Sequence, residues 1–363
     1  MADQLICQCR RRLSEGFEVE ADLRIPLAGA PVTVLFGPSG SGKTTLLRML
    51  AGLERPDAGC IVFRDRPWFD AARAIHLPPQ QRRAGFLFQD YALFPHLTVA
   101  ENVAYAGGSR EAARKMLDAF GLAELAARKP RAISSGQQQR LALARALAAQ
   151  PALLLLDEPL SALDAPTRSR MRYELRRMLL EGGVPSIVVT HDRMEAVALG
   201  DWMAVMVDGR IRQTGPVQEV FRRPADPQVA ESVGVENVLA AELVGRESGL
   251  LVLQVNGERI QCVDSGETGQ VFACIRAEDV AITRQADQVS SARNRLSGWV
   301  RAVIVEGALA RVELDCGFPL VALVTAQSAA ELALGEGEKV SAVVKATSVH
   351  LAAHTSVKEC GEG

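Results

Sequence analysis

Nine consecutive residues constrain this chain more than any others: Gly37-Pro38-Ser39-Gly40-Ser41-Gly42-Lys43-Thr44-Thr45. They fit the pattern in which four residues separate a glycine from Gly-Lys-Thr, and their setting is right for it. Val32-Thr33-Val34-Leu35-Phe36 before them is β-branched and apolar, like a buried strand. Leu46–Leu50 after them reads as helix, ended by Gly52. Glycines let the backbone curl so that the N–H groups of residues 37–45 point inward, and the helix N-terminus adds partial positive charge. Lys43 reaches β- and γ-phosphates, and the Thr44 hydroxyl ligates Mg²⁺. Strand, loop, Lys-Thr and helix in that order imply a nucleoside triphosphate site.

At 363 residues the chain is too long for one ordinary core, so two or three domains are expected. The formal charge of −2 argues against a nucleic-acid surface. Apolar stretches such as Ala152–Leu156 are too short to span a bilayer. Arg10-Arg11-Arg12 is followed by no apolar run, so a signal peptide is not expected and a cytosolic chain is. Seven cysteines are scattered; Cys7 and Cys9, two apart on a strand, face one side and read as reduced thiols rather than metal ligands.

The first two-thirds alternates strand-like runs with helical segments, the grammar of a mostly parallel sheet covered by helices. Ala152–Leu156 and Ser186–Thr190 look like buried strands. Helices are expected over Arg110–Phe120 and Ala165–Glu181, closed by Gly121 and by Gly182-Gly183. Pro224 and Pro227 mark a helix stop and a boundary. Beyond about Asn237 the pattern becomes short alternating strands, among them Leu250–Val255, Gly298–Glu306, Ala310–Asp315 and Lys339–Lys345, which suggests a small all-β barrel. Long internal repeats are not expected.

Leu153-Leu154-Leu155-Leu156-Asp157-Glu158 is the second informative stretch. An apolar strand ending in a carboxylate places Asp157 at the sheet's C-terminal edge, beside the phosphate loop, where it can hold Mg²⁺. Glu158, one residue on, is the candidate to polarise an attacking water as general base.

Residues 133–137, Ile133-Ser134-Ser135-Gly136-Gln137, lie between these two motifs and precede an Ala/Leu-rich helix. They resemble the signature motif of the ATP-binding-cassette (ABC) ATPases, usually Leu-Ser-Gly-Gly-Gln. Gln89 in Phe86-Leu87-Phe88-Gln89-Asp90 resembles that family's Q-loop glutamine, Ser161-Ala162-Leu163-Asp164 its D-loop, and His191 in Val188-Val189-Thr190-His191-Asp192 its switch histidine. The resemblance covers roughly residues 1–235. It implies an α/β P-loop ABC nucleotide-binding domain that binds ATP and Mg²⁺ and acts as a head-to-tail homodimer. On that reading Ser134, Ser135, Gly136 and Gln137 serve the partner's ATP, and Asp164 lies at the dimer seam. His191 donates to the γ-phosphate, Gln89 touches Mg²⁺ or water, and Phe17 stands where the family often has an adenine-stacking aromatic, an ordinary core residue being the other reading of it. Ser135 replaces the first signature glycine; were φ positive there, serine would be strained and turnover slower.

Gln89–Val99 is similar to the importer Q-loop region that receives a membrane-subunit helix, which implies a permease partner. Ser290-Ser291-Ala292-Arg293-Asn294 resembles the start of the molybdate-binding (Mop) domain, with matching segments at Val324–Ser328 and Val344–Val349. Hydroxyls, N–H groups and cations suit a tetrahedral oxyanion, which makes Ser291, Arg293, Ser328 and Lys345 the candidate contacts. The domains expected are an ABC ATPase domain over 1–235, a linker and β segment over 236–287, an OB-like Mop/TOBE domain over 288–355, and a tail over 356–363. The whole resembles the ATPase subunits of molybdate importers: peripheral at the cytoplasmic face of the inner membrane, fed through the permease by a periplasmic molybdate-binding protein, with molybdate itself as a regulatory ligand. Tungstate shares molybdate's shape and charge. Rival readings are a sulfate or ferric-ion importer ATPase and an oxyanion-storage protein with a vestigial ATPase.

Overall fold

The structure, a computed structural model, describes residues 3–13, 16–29, 31–106, 110–161, 163–263, 269–284 and 291–353. Ala162, Ser290, Cys360 and the expected 356–363 tail lie outside the described residues. The chain divides into two compact units, residues 1–220 and 221–363.

The first unit is built on an eleven-stranded sheet. Its elements are β1 (Gln4–Arg12), β2 (Glu18–Pro26), β3 (Val32–Phe36), α1 (Lys43–Ala51), β4 (Ala58–Phe63), β5 (Arg66–Asp70), β6 (Ile75–His76), α2 (Pro79–Arg82), β7 (Ala84–Leu87), α3 (Val99–Ala104), α4 (Arg110–Ala119), α5 (Ser135–Ala148), β8 (Leu153–Asp157), α6 (Ala165–Gly182), β9 (Ser186–Thr190), α7 (Arg193–Leu199), β10 (Trp202–Val207) and β11 (Arg210–Pro216). The strand order is β6-β5-β4-β1-β2-β11-β10-β3-β9-β8-β7. From β10 to β7 all pairs are parallel, whereas β1, β2, β4, β5 and β6 form an antiparallel wing.

Every residue of β3, β8 and β9 is buried, which is why these strands read as unbroken apolar runs. Alternate side chains serve opposite cores. Leu154 and Leu156 point into a core with Leu141, Leu175 and Val103, whereas Leu153 and Leu155 point into another with Leu46, Leu50 and Trp68. Cys7 and Cys9 face this second core with their sulfurs 3.2 Å apart, and all six described cysteines are free thiols.

The parallel register positions the site. Phe36 pairs with Thr190, Val189 with Asp157, and Leu156 with Leu87, so β3, β9, β8 and β7 end level with one another. The loops that follow them carry Lys43, His191, Glu158 and Gln89 side by side, at the carboxyl edge where open α/β sheets bind ligands.

In the second unit, α9 (Pro227–Ser232), which follows α8 (Val217–Arg222), packs on β12 (Asn237–Glu247) and β15 (Gln270–Ile275). Helix α9 therefore belongs with the tail, and the boundary falls before the expected residue 235. Strands β13 (Leu250–Val255), β14 (Glu258–Val263) and β16 (Ala281–Thr283) complete a first set, so the stretch expected to contain a linker is mostly sheet. A second set consists of β17 (Asn294–Glu306), β18 (Leu309–Asp315), β19 (Pro319–Thr325), β20 (Lys339–Val344) and β21 (His350–Ala353), with α10 (Ala326–Glu331) before β20.

Contrary to the expectation from sequence, the two sets are a repeat. The sheets run β14-β13-β12-β15-β21 and β19-β18-β17-β20-β16, the same order with the last strand exchanged. A 3₁₀ turn precedes each exchanged strand, at Ala277–Asp279 and Ala346–Ser348. Val271-Phe272-Ala273-Cys274-Ile275-Arg276-Ala277 matches Val340-Ser341-Ala342-Val343-Val344-Lys345-Ala346 in pattern. Because each half finishes the other's sheet, both bury side chains in one core, including Leu251, Ile260, Leu296 and Val312. Two buried asparagines tie the halves as side-chain imitations of a strand pair. Asn237 accepts from Val321 N at 2.6 Å and donates to Val321 O at 2.9 Å, and Asn294 does the same with Gln261 at 2.6 and 2.9 Å.

Candidate nucleotide-binding and catalytic site

Two glycines shape the phosphate loop. Gly37 has φ 152°, and a Cβ there would lie 2.0 Å from the Met206 carbonyl oxygen; Gly42, at φ 98°, caps α1 with Val19 Cγ2 2.7 Å from where a Cβ would stand. Lys43 opens α1 and turns its ammonium back into the loop. It donates to Gly37 O at 2.9 Å, Pro38 O at 2.6 Å and Ser41 Oγ at 3.4 Å. All three acceptors are neutral, and burial pulls the lysine pKa down while Glu158 and Asp157 oppose that pull. A nearly buried cation held only by neutral oxygens suits a polyphosphate. Pro38, Ser39 and Gly40 are exposed, Ser41 is buried, and Thr45 is half-buried in α1.

Thr44 Oγ1 donates to Asp157 Oδ1 at 2.9 Å. Burial pushes the Asp157 carboxyl up, the Thr44 bond opposes this, and the neighbouring Glu158 charge adds to it. A divalent cation would relieve two adjacent acids at one stroke, so the donor set fits Mg²⁺. Thr44, Asp157 and Gln89 line a cavity of about 630 Å³ with Arg48, Phe88, Asp90 and Ser161.

Glu158 is the hub. Gln89 Nε2 donates to its Oε2 at 3.2 Å, and His191 Nδ1 lies 3.0 Å from its Oε1. An ionised carboxylate only accepts, so His191 carries its proton on Nδ1. The backbone of Glu158 is held at φ 44°, an uncommon conformation that costs about 1 kcal/mol. It is over-determined: Glu158 N donates to Val189 O, and Ser161 donates to Glu158 O through both N and Oγ.

Residues 22–161 match the ABC transporter family and residues 290–351 the TOBE domain. The molybdate/tungstate import ATP-binding protein WtpC of Pyrococcus horikoshii is 38% identical, over 88% of this chain and 91% of its own length. The chain belongs to the ABC transporter ATPases. The molybdenum import ATP-binding protein ModC of Rhodospirillum rubrum is 36% identical over 89% of the chain and 92% of its length. A sulfate/thiosulfate import ATP-binding protein of Chromobacterium violaceum is 44% identical over 77% of the chain and 75% of its length. The fold is accordingly an ABC ATPase domain followed by an all-β TOBE domain.

The residues that resemble the ABC signature start α5. Ser134 caps it in a reciprocal box: its hydroxyl accepts from Gln137 N at 3.3 Å, and Gln137 Oε1 accepts from Ser134 N at 2.9 Å. Ser135 is the first helical residue, is exposed and has no positive φ, so the strain anticipated for serine is absent. Gly136 is buried, with Met171 Sδ 3.6 Å from where a Cβ would stand. We expect Ser135→Gly to lower stability by about 0.5 kcal/mol through helix propensity and to leave ATP turnover no faster. A several-fold acceleration in a phosphate-release assay would contradict the helical account.

Asp164 caps α6 within its own chain, accepting from Thr167 N at 2.8 Å, and this bond holds its carboxyl below the usual range. Phe17 is half-buried beside Gly42 and packs on the core that contains Val19 and Leu46. Past Gln89, Tyr91 and Ala92 both have positive φ, and Arg145 of α5 donates to both of their carbonyls. The Arg145 guanidinium lies 5.2 Å from the Phe94 ring centre, and Phe94 packs on the exposed Tyr105 at 4.4 Å.

The four candidate oxyanion residues do not meet within one chain. Arg293 precedes β17 and Lys345 follows β20; because Asn294 pairs with Val344, both emerge at one sheet edge, where Ser291 is also exposed. Ser328 sits on α10 after β19, whose Thr325 pairs through Leu309 with Glu306, the far end of β17. The thirteen residues of β17 separate them by roughly 40 Å of strand. Ser328 Oγ accepts from Thr325 Oγ1 at 2.8 Å, beside the helix cap. Two buried charged residues, Arg82 on α2 and Glu195 on α7, carry no motif that marks them out in the sequence. Among the described residues no helix is long and apolar enough to cross a membrane.

Proposed function

We propose that this protein is the ATP-hydrolysing subunit of an ABC importer for molybdate or tungstate. The observation that carries ATP hydrolysis is the convergence of Lys43, Thr44, Asp157, Glu158, Gln89 and His191 at one edge of the parallel sheet, and the likeness to the molybdate/tungstate and molybdenum import proteins supports the cargo. Bound ATP and Mg²⁺ supply the reactive γ-phosphoryl group and its charge neutralisation. The chain's own residues do the rest. Lys43 and the amides of the phosphate loop bind the phosphates, and Thr44 and Asp157 hold the cation. Glu158, aimed by Gln89 and His191, takes a proton from water at a carboxylate oxygen. Ser134 through Gln137 serve the nucleotide of a second copy in a homodimer, with Asp164 at the seam and Phe17 against adenine.

The aromatic surface at Phe94 and Tyr105, braced by Arg145, receives a membrane permease, and a periplasmic binding protein delivers the anion. The protein acts at the cytoplasmic face of the membrane. The TOBE-type unit senses the cargo at the edge shared by Ser291, Arg293 and Lys345. Sulfate is the competing cargo, favoured by the higher identity of the sulfate/thiosulfate relative, though over less of the chain. Titration calorimetry of the full chain with molybdate, tungstate and sulfate separates the two. We expect the first two to bind and sulfate not to. Loss of the gene should abolish cellular molybdate accumulation and spare sulfate. Sulfate-only binding together with normal molybdate uptake would replace the molybdate reading with the sulfate one.

A further inference from the structure

His191 presents an imidazole that is 52% exposed, yet the backbone on either side of it is locked. It sits in the short connector between β9, which ends at Thr190, and α7, which Asp192 caps. Thr190 Oγ1 accepts from Asp192 N at 3.0 Å, a bond that spans His191 and closes its backbone into a tight turn. The Thr190 hydroxyl donates in turn to Glu195 Oε2 at 2.7 Å. Asp192 Oδ1 accepts from Glu195 N at 3.0 Å, so a hydrogen-bonded ring runs from Glu195 through Thr190 and Asp192 back to Glu195. Arg172 Nη2 of α6 stands 3.7 Å from Asp192 Oδ2 and braces the ring from outside.

Thr190 is 2% exposed and Glu195 3%. Burial pushes the Glu195 carboxyl up, the Thr190 bond opposes this, and Asp192 adds to it. A leucine would fill the same space on α7 without desolvating a carboxyl. What the carboxyl does and leucine cannot is fix the rotation of the Thr190 hydroxyl, and with it the lone pair that receives Asp192 N–H.

We infer that Glu195 is a positioning residue for His191: through the Thr190 hydroxyl and the Asp192 N–H it sets the backbone that aims the imidazole at Glu158. This assignment rests on the ATPase reading given above. Glu195 touches no reacting atom.

The test is a double-mutant cycle on the full chain, read by steady-state ATP turnover and by the ring ¹⁵N resonances of His191. Only five histidines are present, so His191→Ala identifies the signal. Glu195→Ala should lower kcat by about ten- to a hundred-fold with KM for ATP changed by less than about two-fold. In the His191→Ala background it should cost nothing further, because the group it aims is gone. Thr190→Val should reproduce the loss. Glu195→Gln and Thr190→Ser, which keep the acceptor and the hydroxyl, should recover most of the turnover. The His191 ring resonances should move towards those of a free histidine in Glu195→Ala and stay in place in Glu195→Gln. An equal loss in both backgrounds, or unmoved resonances in Glu195→Ala, would overturn the assignment. Absence of turnover in the wild type would sink the ATPase reading instead, and the resonances would still decide the positioning role.

Discussion

Glu158→Gln should lower ATP turnover by about 10³-fold and leave ATP affinity within about three-fold of wild type. Such a loss corresponds to about 4 kcal/mol of transition-state stabilisation, within the range of a general base on its own. The substitution preserves volume and one acceptor oxygen, so Gln89 Nε2 keeps a partner. It removes the proton-accepting charge. It also sets an amide NH₂ against the Nδ1 proton of His191, which now bonds Oε1 at 3.0 Å, and the ring must change tautomer or turn away. Binding should survive because the phosphate contacts proposed above come from the loop between β3 and α1 and from Lys43 at the start of α1, not from β8. The measurement is single-turnover phosphate release alongside equilibrium nucleotide binding. A loss below about ten-fold would move the proton acceptor to another group. Lost binding would mean that Glu158 holds the loop in shape rather than the water.

How much of this was legible beforehand depends on whether the information is local. The phosphate loop, the Leu153–Asp157 strand and the helix over 165–182 are written in consecutive residues, and β9 lies where its β-branched run lies. Gln89 and His191 are single residues in undistinguished contexts; only their order among the other motifs marks them, and the level ends of β7, β8 and β9 bring them to Glu158. The tail repeat was hidden because its two halves share an alternation of apolar positions and few identities, and the exchange of β16 and β21 has no sequence signal. Ser328 was grouped with Arg293 and Lys345 by motif, and antiparallel pairing carries it to the opposite edge. Ser135 looked like a defect because a glycine is usual there, although a first helical position asks nothing of φ that serine cannot meet. Glu195 follows Asp192 at the spacing of a helix cap, which hides the second task of its carboxyl in an ordinary pattern.

Arg82 is the sharpest example of non-local information, and its removal should be the most damaging single change to stability considered in this protein. Arg82 is followed by a second arginine and is itself only 2% exposed. Its guanidinium donates to Met49 O at 2.7 Å, Leu50 O at 2.9 Å and Leu77 O at 2.8 Å, reaches Trp68 O at 3.4 Å, and lies 5.6 Å from the Trp68 ring centre. None of these acceptors is a carboxylate. Burial pulls its pKa down to about 10, with the Cys7 and Cys9 thiols opposing. What offsets the buried charge is the C-terminus of α1, whose last carbonyls carry the negative end of the helix dipole. Gly52 closes that terminus at φ 79°, and a Cβ there would lie 2.7 Å from Arg82 Nε. Arg82 thus caps the helix whose other end holds Lys43 and Thr44, and it does so from the turn that leads into β7 and Gln89. Arg82→Ala would leave four carbonyls without this donor and open a cavity beside Trp68, at a cost of about 3–5 kcal/mol. Arg82→Lys should fall between, since an ammonium has three donors and no planar fork. Thermal and urea unfolding monitored by Trp68 fluorescence, in a Trp202→Phe, Trp299→Phe background that leaves it the one tryptophan of the three, reads the loss directly. An Arg82→Ala protein within about 1 kcal/mol of wild type would mean that water replaces the guanidinium at the end of α1 without penalty, and that the buried cation contributes nothing to holding the phosphate-loop helix in place.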